Sequence, residues 1–253
     1  FEEQYGWDND VFNSRLKKII VDLLRLFPKL DYDIIYLDKN EIFEIHPSDY
    51  LQQFLVDNSI SLHHREFYKL VNQFPEYIEP VKSSKRSLKL VRNLFNENNN
   101  KRVSITIRKS NQYESRNTNI SECSSLIDTL VYNHNVEVVI IPDADNSSEI
   151  EKKKNVKVIN DAAHNFDVRL ATYELCNLNI FLNNGPCIAA ELDQNIKSIL
   201  FKLVVSDVPH CSVEFIESQG YQRGKSPTYN VNSKWIWKDD TEENMIGLII
   251  ESL

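Results

Sequence analysis

Glycine is scarce in this chain, and its few copies do not form a phosphate-binding fingerprint. Five glycines occur among 253 residues, in neither the GxGxxG nor the GxxxxGK spacing. The usual dinucleotide and P-loop motifs are therefore absent. The four cysteines show no CxxC spacing, so they give no signal for a zinc site or a redox pair. We expect them to be reduced, buried thiols in a cytoplasmic protein.

Positive charge is also in short supply. The chain has 29 Lys and Arg against 37 Asp and Glu, a net charge of −8, which argues against a nucleic-acid partner. A local basic pocket for a small phosphorylated ligand is compatible with this balance. No apolar run approaches the roughly 18 residues of a membrane span, so we expect no transmembrane segment.

The first part of the chain has the pattern of a mostly helical region. Apolar residues recur at helical spacing from Val11 to Phe27, and the pattern stops at Pro28. A strand candidate at 32–37 is followed by helical candidates at 48–57, 63–73 and 84–96. The adjacent His63 and His64 point in different directions on a helix, so we predict no metal site there.

The polar segment Asn96–Lys101 marks a domain boundary, after which strands and helices alternate. The predicted strands are Val103–Ile107, Val136–Ile141, Val156–Ile159, Leu178–Phe181 and Ser198–Phe201. The predicted helices lie at 121–133, 166–176 and 186–193, and a last one closes the chain after the cap residue Thr241. This alternation predicts an α/β fold with a Rossmann-type parallel sheet over residues 97–253, beside a smaller, mostly helical part at 1–96.

The strand at 178–181 runs into an Asn-Asn-Gly-Pro turn and then into a helix. Gly185 tolerates a backbone that bulkier residues resist, and Pro186 suits the first helical position. The backbone N–H groups of Cys187 and Ile188 would then point out of the helix start, where the helix dipole favours a phosphate. A well-capped turn without a ligand is the alternative.

Ligands of open parallel sheets bind beyond the carboxyl ends of the strands. Polar residues follow each predicted strand there, although loops are polar in general. They are Arg108, Asp143, Asp145, Asn160, Asp161, Asn183, Asn184 and Lys202.

Two arginines distinguish the first of these strand ends. Arg108 follows a buried strand directly, and Arg116 lies eight residues later in a polar loop. Guanidinium groups suit a diphosphate because they keep their charge and bind two oxygens at once. For Arg116, an exposed structural arginine is the alternative.

The helix at 166–176 leads directly into the Asn-Asn-Gly-Pro strand and carries three charged residues of interest. Asp167, Arg169 and Glu174 either face a ligand or form surface ion pairs. For Arg169 the surface pair is the favoured reading.

Over residues 102–205 the chain resembles the C-terminal, nucleotide-sugar-binding half of GT-B glycosyltransferases, most of all heptosyltransferase-like and fucosyltransferase-like enzymes. The similarity lies in Thr-Ile-Arg followed by an Arg-Asn loop, then Ile-Ile-Pro-Asp, then a Leu-Ala helix, then Asn-Asn-Gly-Pro opening a helix. The sequence departs from the family where Cys187 and Ile188 replace the histidine that usually follows the glycine turn.

The resemblance implies a glycosyltransferase that moves a sugar from a nucleoside-diphosphate sugar to a glycan, without a metal or other cofactor. Arg108 and Arg116 would neutralise the donor diphosphate, and the Gly185 turn would seat it. The predicted binding residues are Arg108, Arg116, Asn117, Asp143, Asp167, Glu174, Asn183, Asn184, Gly185, Pro186 and Cys187. A nucleotide-sugar epimerase and a non-catalytic binding module are the alternatives.

Residues 1–96 would form the acceptor side and supply the base that takes the acceptor proton. Several carboxylates and one histidine are available there, and the sequence does not choose among them. They are Asp8, Asp10, Asp38, Glu41 and His46.

Overall fold

The computed structural model describes residues 80–95, 100–110, 113–143, 153–182 and 184–253. The elements predicted before residue 80 lie outside this part, as do the histidines and candidate bases there and the boundary predicted at Asn96. Asp145 and Asn183 lie outside it as well. Within these ranges, no helix has both the length and the apolar character needed to cross a membrane.

The described residues form an α/β fold around one sheet of six parallel strands. The strands are β1 (Arg102–Thr106), β2 (Glu137–Ile141), β3 (Val156–Val158), β4 (Leu178–Leu182), β5 (Ser198–Phe201) and β6 (Ser233–Trp235). Their order across the sheet is β3-β2-β1-β4-β5-β6, which is the Rossmann order. The first five confirm the predicted strands. β6 was not predicted, because three residues with serine and lysine among them carry too little strand signal.

Helices connect these strands. They are α1 (Lys85–Leu94), α2 (Ile120–Asp128), α3 (Asp161–His164), α4 (Phe166–Leu175), α5 (Cys187–Glu191), α6 (Val213–Ser218) and α7 (Glu242–Ser252). The helix predicted at 121–133 is α-helical only to Asp128 and continues as a π-helical turn, Thr129–Asn133. The cap predicted at Thr241 is confirmed, since its side chain accepts a hydrogen bond from the Asn244 amide.

The sheet is buried on both faces. Val139 and Ile141 of β2 pack in one core with α1, α4 and α5, whereas Val138 and Ile140 pack in a second core with α2 and α7. All four side chains are fully buried. This double burial explains why the central strands are continuous apolar runs rather than alternating ones.

A buried polar residue joins the two central strands, β1 and β4. Asn179 accepts a hydrogen bond from the Ser104 hydroxyl and donates to the backbone carbonyls of Tyr173 and Lys197, each at 3.1 Å. Because its side-chain groups are paired, Asn179 is tolerated in a fully buried strand and favours one register.

The chain changes direction across the sheet between β1 and β4. From β1 it proceeds outward through β2 and β3, and it then returns to β4, which pairs with β1 in parallel on the other side. In open α/β sheets ligands bind at this switch point, beyond the carboxyl ends of the two strands. The residues after β1 and after β4 therefore border the position where a ligand would bind.

Candidate functional site

The loop after β1 is closed by its own hydrogen bonds and holds Arg108 in place. The Arg108 amide donates to the Thr118 hydroxyl at 2.8 Å, and the Thr118 amide donates back to the Arg108 carbonyl at 2.9 Å. Inside the loop, Nη1 of Arg108 donates to Oδ1 of Asn117 and to the carbonyl of Tyr113, the latter at 3.3 Å. Asn117, one of the predicted binding residues, therefore orients the guanidinium.

Arg116 lies in a 3₁₀ turn of the same loop, Glu114–Arg116, and is half-buried. Its Nη1 atom lies 3.4 Å from Nε2 of His210, which belongs to the turn Pro209–Cys211 that follows β5. Arg116 is therefore not the exposed side chain that the alternative interpretation expected, while its structural or ligand-binding role stays a prediction. The side chain instead points toward the carboxyl edge of the sheet.

Arg108 and Arg116 are close enough to repel each other. The pKa of Arg108 is lowered, first by burial and next by the positive charge of Arg116, while Asp143 and Cys211 act in the opposite direction. The same two arginines act to lower the pKa of the Cys211 thiol, although burial raises it on balance. Two like charges in one loop at a strand end raise the local positive potential, which Asp143 partly offsets.

Two more charged residues predicted at strand ends belong to this edge. Oδ2 of Asp143 accepts a hydrogen bond from the Lys109 amide at 2.8 Å, which fastens the loop to the end of β2. Lys202, after β5, donates to the carbonyl of Asn117 at 3.0 Å. The sheet thus brings Arg108, Asp143 and Lys202 together from three separate strands.

The turn after β4 differs in detail from its prediction. α5 begins at Cys187, so Pro186 occupies the N-cap rather than the first helical position. The Cys187 amide donates to the carbonyl and to the side chain of Asn184, at 3.3 and 3.2 Å, and the Ile188 amide donates to the Gly185 carbonyl at 3.3 Å. The prediction that these amides point outward to an anion is therefore wrong.

Gly185 does not need its conformational freedom here. The described glycines with positive φ are Gly220 and Gly224, at 89° and 77°, and Gly185 is not among them. A Cβ atom at Gly185 would meet no described atom within 4 Å. Gly185 is exposed at the strand end, and the described part of the protein leaves space for a side chain there.

The acidic residues of α4 hold α1 in place. Asp167 accepts hydrogen bonds from the Ser84 amide and hydroxyl, at 2.7 and 2.6 Å, and from the Ser87 hydroxyl at 2.7 Å. Glu174 accepts one from the Ser83 amide at 2.7 Å. We assign these carboxylates a structural role, which replaces the ligand-facing one predicted for them.

Arg169 is buried, with 6% of its surface exposed, so its interpretation as half of a surface ion pair is wrong. The helical spacing of α4 did not predict the burial of Arg169. α4 is covered by α1 on one side and by the sheet on the other, so more than one of its faces is buried. Its Nε atom donates to the Ala162 carbonyl at 2.6 Å.

Sequence reasoning missed Tyr113 and His210. The two rings make an edge-to-face contact at 5.3 Å between centroids, and Tyr113 adopts a left-handed backbone with a φ of 56°. Neither residue belongs to a motif, and only the packing of the loops after β1 and β5 brings them together. A bulky residue with positive φ is strained, a condition that clusters at binding sites. Across the ranges that the structure describes, no three His, Cys, Asp or Glu residues are grouped as they would be around a metal ion.

No protein-family model matches the chain, and no curated protein matches it. Among solved structures, the chain is similar to the UDP-GlcNAc 2-epimerase of Methanocaldococcus jannaschii in complex with UDP-GlcNAc and UDP. The identity is 10% and the TM-score 0.42, over 80% of this chain and 51% of that one. This chain therefore spans about half the length of the epimerase.

The chain is also similar to KpsC of Thermosulfurimonas dismutans, a beta Kdo 2,4 transferase. Here the identity is 14% and the TM-score 0.34, over 58% of this chain and 44% of that one.

Proposed function

We propose that this chain binds a nucleoside-diphosphate sugar at the carboxyl edge of its sheet and transfers the sugar to a glycan acceptor. The observation that carries the proposal is that one hydrogen-bonded loop after β1 holds both Arg108 and Arg116 beside the switch point between β1 and β4. Two guanidinium groups supply the charge and the donors that a diphosphate needs.

The chemistry of sugar transfer needs this charge. As the bond between the sugar and the diphosphate breaks, negative charge builds on the departing phosphoryl oxygens, and fixed positive groups stabilise it. In this proposal Arg108 and Arg116 supply that stabilisation without a metal ion. Asn117 positions Arg108 through the hydrogen bond to Nη1.

The turn at Asn184 and Gly185 forms the opposite wall of the proposed site. β1 and β4 are adjacent and parallel, so this turn and the Arg108 loop leave the sheet at the same edge. The missing side chain at Gly185 lets a ligand approach the backbone closely.

Binding of nucleoside diphosphates tests the proposal. We expect calorimetry to detect binding of at least one of UDP, GDP, ADP or CDP by the native chain in metal-free buffer. Arg108→Ala should weaken that binding by about tenfold to a hundredfold, the effect of a lost charge-assisted contact. The matched control is Arg92→Ala, which removes an exposed arginine from α1 and should leave the affinity unchanged. Equal affinity for the native and Arg108→Ala chains would falsify the proposal.

Product analysis separates transfer from its alternatives. Incubation with the nucleotide sugar alone converts the donor sugar if the protein is an epimerase, whereas a transferase forms a new glycoside only when the acceptor is added. Binding without either product identifies a non-catalytic module.

A further inference from the structure

Arg169 carries a buried charge with few partners. Besides the bond from Nε to the Ala162 carbonyl, its guanidinium lies near the hydroxyl of Tyr173, one helical turn further along α4, and acts to lower the pKa of that hydroxyl against the effect of burial. A guanidinium has donors beyond these two contacts and keeps its charge at any working pH. Among the residues that the structure describes, no Asp or Glu side chain forms an ion pair with it.

Three other buried charges among the described residues have counter-ions. Three carboxylates that are buried in the fold each have a cationic partner, and the pairs are Glu137 with Arg102, Asp193 with Lys82 and Asp240 with Lys202. A buried charge without a counter-ion is costly. An anion that is not part of the described chain would satisfy Arg169.

The position of Arg169 points to where such an anion would come from. The Tyr173 hydroxyl that it contacts lies 3.3 Å from Oγ1 of Thr106, the last residue of β1. Burial raises the pKa of Tyr173, and the charge of Arg169 acts to lower it. Cys187, the first residue of α5, is close enough to influence the same pKa. Arg169 is therefore linked through Tyr173 to the end of β1.

We propose that Arg169 lines the inner side of the anion site and binds a phosphoryl oxygen that enters between the ends of β1 and β4. Arg108 and Arg116 contact the ligand from the loop above, and Arg169 contacts it from α4 below. The inference rests on the proposed function in one respect, because it takes the anion to be the diphosphate of a nucleotide sugar. Inorganic pyrophosphate carries the same recognised group and serves as the probe.

The first experiment measures the melting temperature of the native chain and of Arg169→Met with and without pyrophosphate, in metal-free buffer. We expect pyrophosphate to raise the melting temperature of the native chain and to leave that of Arg169→Met unchanged. Without pyrophosphate, Arg169→Met should melt at or above the native temperature, because a poorly paired buried charge has been replaced by an apolar side chain of similar length.

The contrasting variant is Arg102→Met at the other end of β1. This substitution removes the cationic partner of Glu137, which is fully buried. The variant should therefore melt below the native temperature, and pyrophosphate should still raise its melting temperature. If Arg169→Met instead behaves like Arg102→Met, Arg169 has a purely structural role and the inference is overturned. The absence of a pyrophosphate effect on the native chain also overturns it.

Arg169→Lys covers the case in which the methionine variant does not fold. It keeps the charge but not the forked donors, so pyrophosphate and nucleoside-diphosphate affinities should fall about tenfold. Unchanged affinity would contradict the inference.

The two proposals fail separately. If the binding of nucleoside diphosphates depends on Arg108 but not on Arg169, the proposed function stands and the proposed role of Arg169 does not. If pyrophosphate needs Arg169 while no nucleoside diphosphate binds, the anion site stands and the proposed function does not.

Discussion

The Nζ atom of Lys202 lies 3.1 Å from Oδ1 of Asp240, and the two charges are largely buried. Oδ2 of the same carboxylate accepts a hydrogen bond from the Asn119 amide at 2.9 Å, and Lys202 also donates to the Asn117 carbonyl. The pair therefore links the end of β5 and the start of α7 to the loop that carries Arg108 and Arg116. Its stability affects the geometry of the proposed site.

Removing the lysine from this pair should destabilise the fold. Lys202→Met leaves the Asp240 carboxylate buried without its cation, so we expect the free energy of unfolding to fall by about 3 kcal/mol. Urea unfolding measures the change. Lys197→Met, which removes an exposed lysine just before β5, is the matched control and should shift the free energy by less than about 0.5 kcal/mol. Equal effects of the two substitutions would show that the pair contributes nothing.

Asn117→Ala should weaken ligand binding more than it weakens the fold. The Asn117 side chain accepts from Arg108 and from the Ser110 amide and donates to the Ser110 carbonyl, at 3.0 and 2.9 Å for the two serine contacts. Without it the Arg108 guanidinium loses one of the hydrogen bonds that set its orientation. We expect about tenfold weaker nucleoside-diphosphate binding by calorimetry, the scale of one lost contact to a charged group. Asn133→Ala, at an exposed position, should bind as the native chain does.

Gly185→Ala should separate stability from binding. A methyl group at Gly185 meets no described atom within 4 Å, so the free energy of unfolding should stay the same or rise by up to about 1 kcal/mol. If a phosphoryl group lies against this backbone, the same methyl group should weaken nucleoside-diphosphate binding several-fold. Gly247→Ala, at an equally open position within α7, should stabilise the fold without changing the affinity. Unchanged affinity of Gly185→Ala would remove this turn from the site.

The attachment of α1 should depend on pH through Asp167. Burial alone would raise the pKa of Asp167, but hydrogen bonds from Ser84 and Ser87 outweigh it and lower the pKa. A carboxylate with a lowered folded-state pKa stabilises the fold above its ordinary value of about 4, and this stabilisation is lost as the pH falls through the lower folded value.

Asp167→Asn should therefore lower the free energy of unfolding by about 2 kcal/mol at pH 7, and the difference from the native chain should shrink as the pH falls below about 4. Urea unfolding at a series of pH values measures this. Asp161→Asn, an exposed aspartate on the neighbouring helix, is the control. A difference that stays constant from pH 7 to the acid limit would contradict the assigned hydrogen bonds.

The sequence by itself determined the sheet and the edge where a ligand would bind. Runs such as Val138 to Ile141 are apolar on both faces, a pattern typical of a strand buried between two helical layers. Parallel strands place their carboxyl ends at one edge, so Arg108, Asp143 and Lys202 could be assigned to that edge from their positions after the strands. The short strand β6 was beyond this reasoning, because it is held by pairing with β5 and not by its own composition.

Only the tertiary structure decided what each charged residue of the edge does. Asp167, Arg169 and Glu174 share one helix, and their spacing is the same whether they face solvent, a ligand or another helix. Serine groups at the start of α1 donate hydrogen bonds to the two carboxylates, whereas Arg169 is buried and donates to the Ala162 carbonyl. The contact between Arg116 and His210 joins residues 94 positions apart, so no local pattern records it. Local periodicity indicates which apolar residues enter the core, whereas the burial and the partner of a polar group depend on how distant segments pack together.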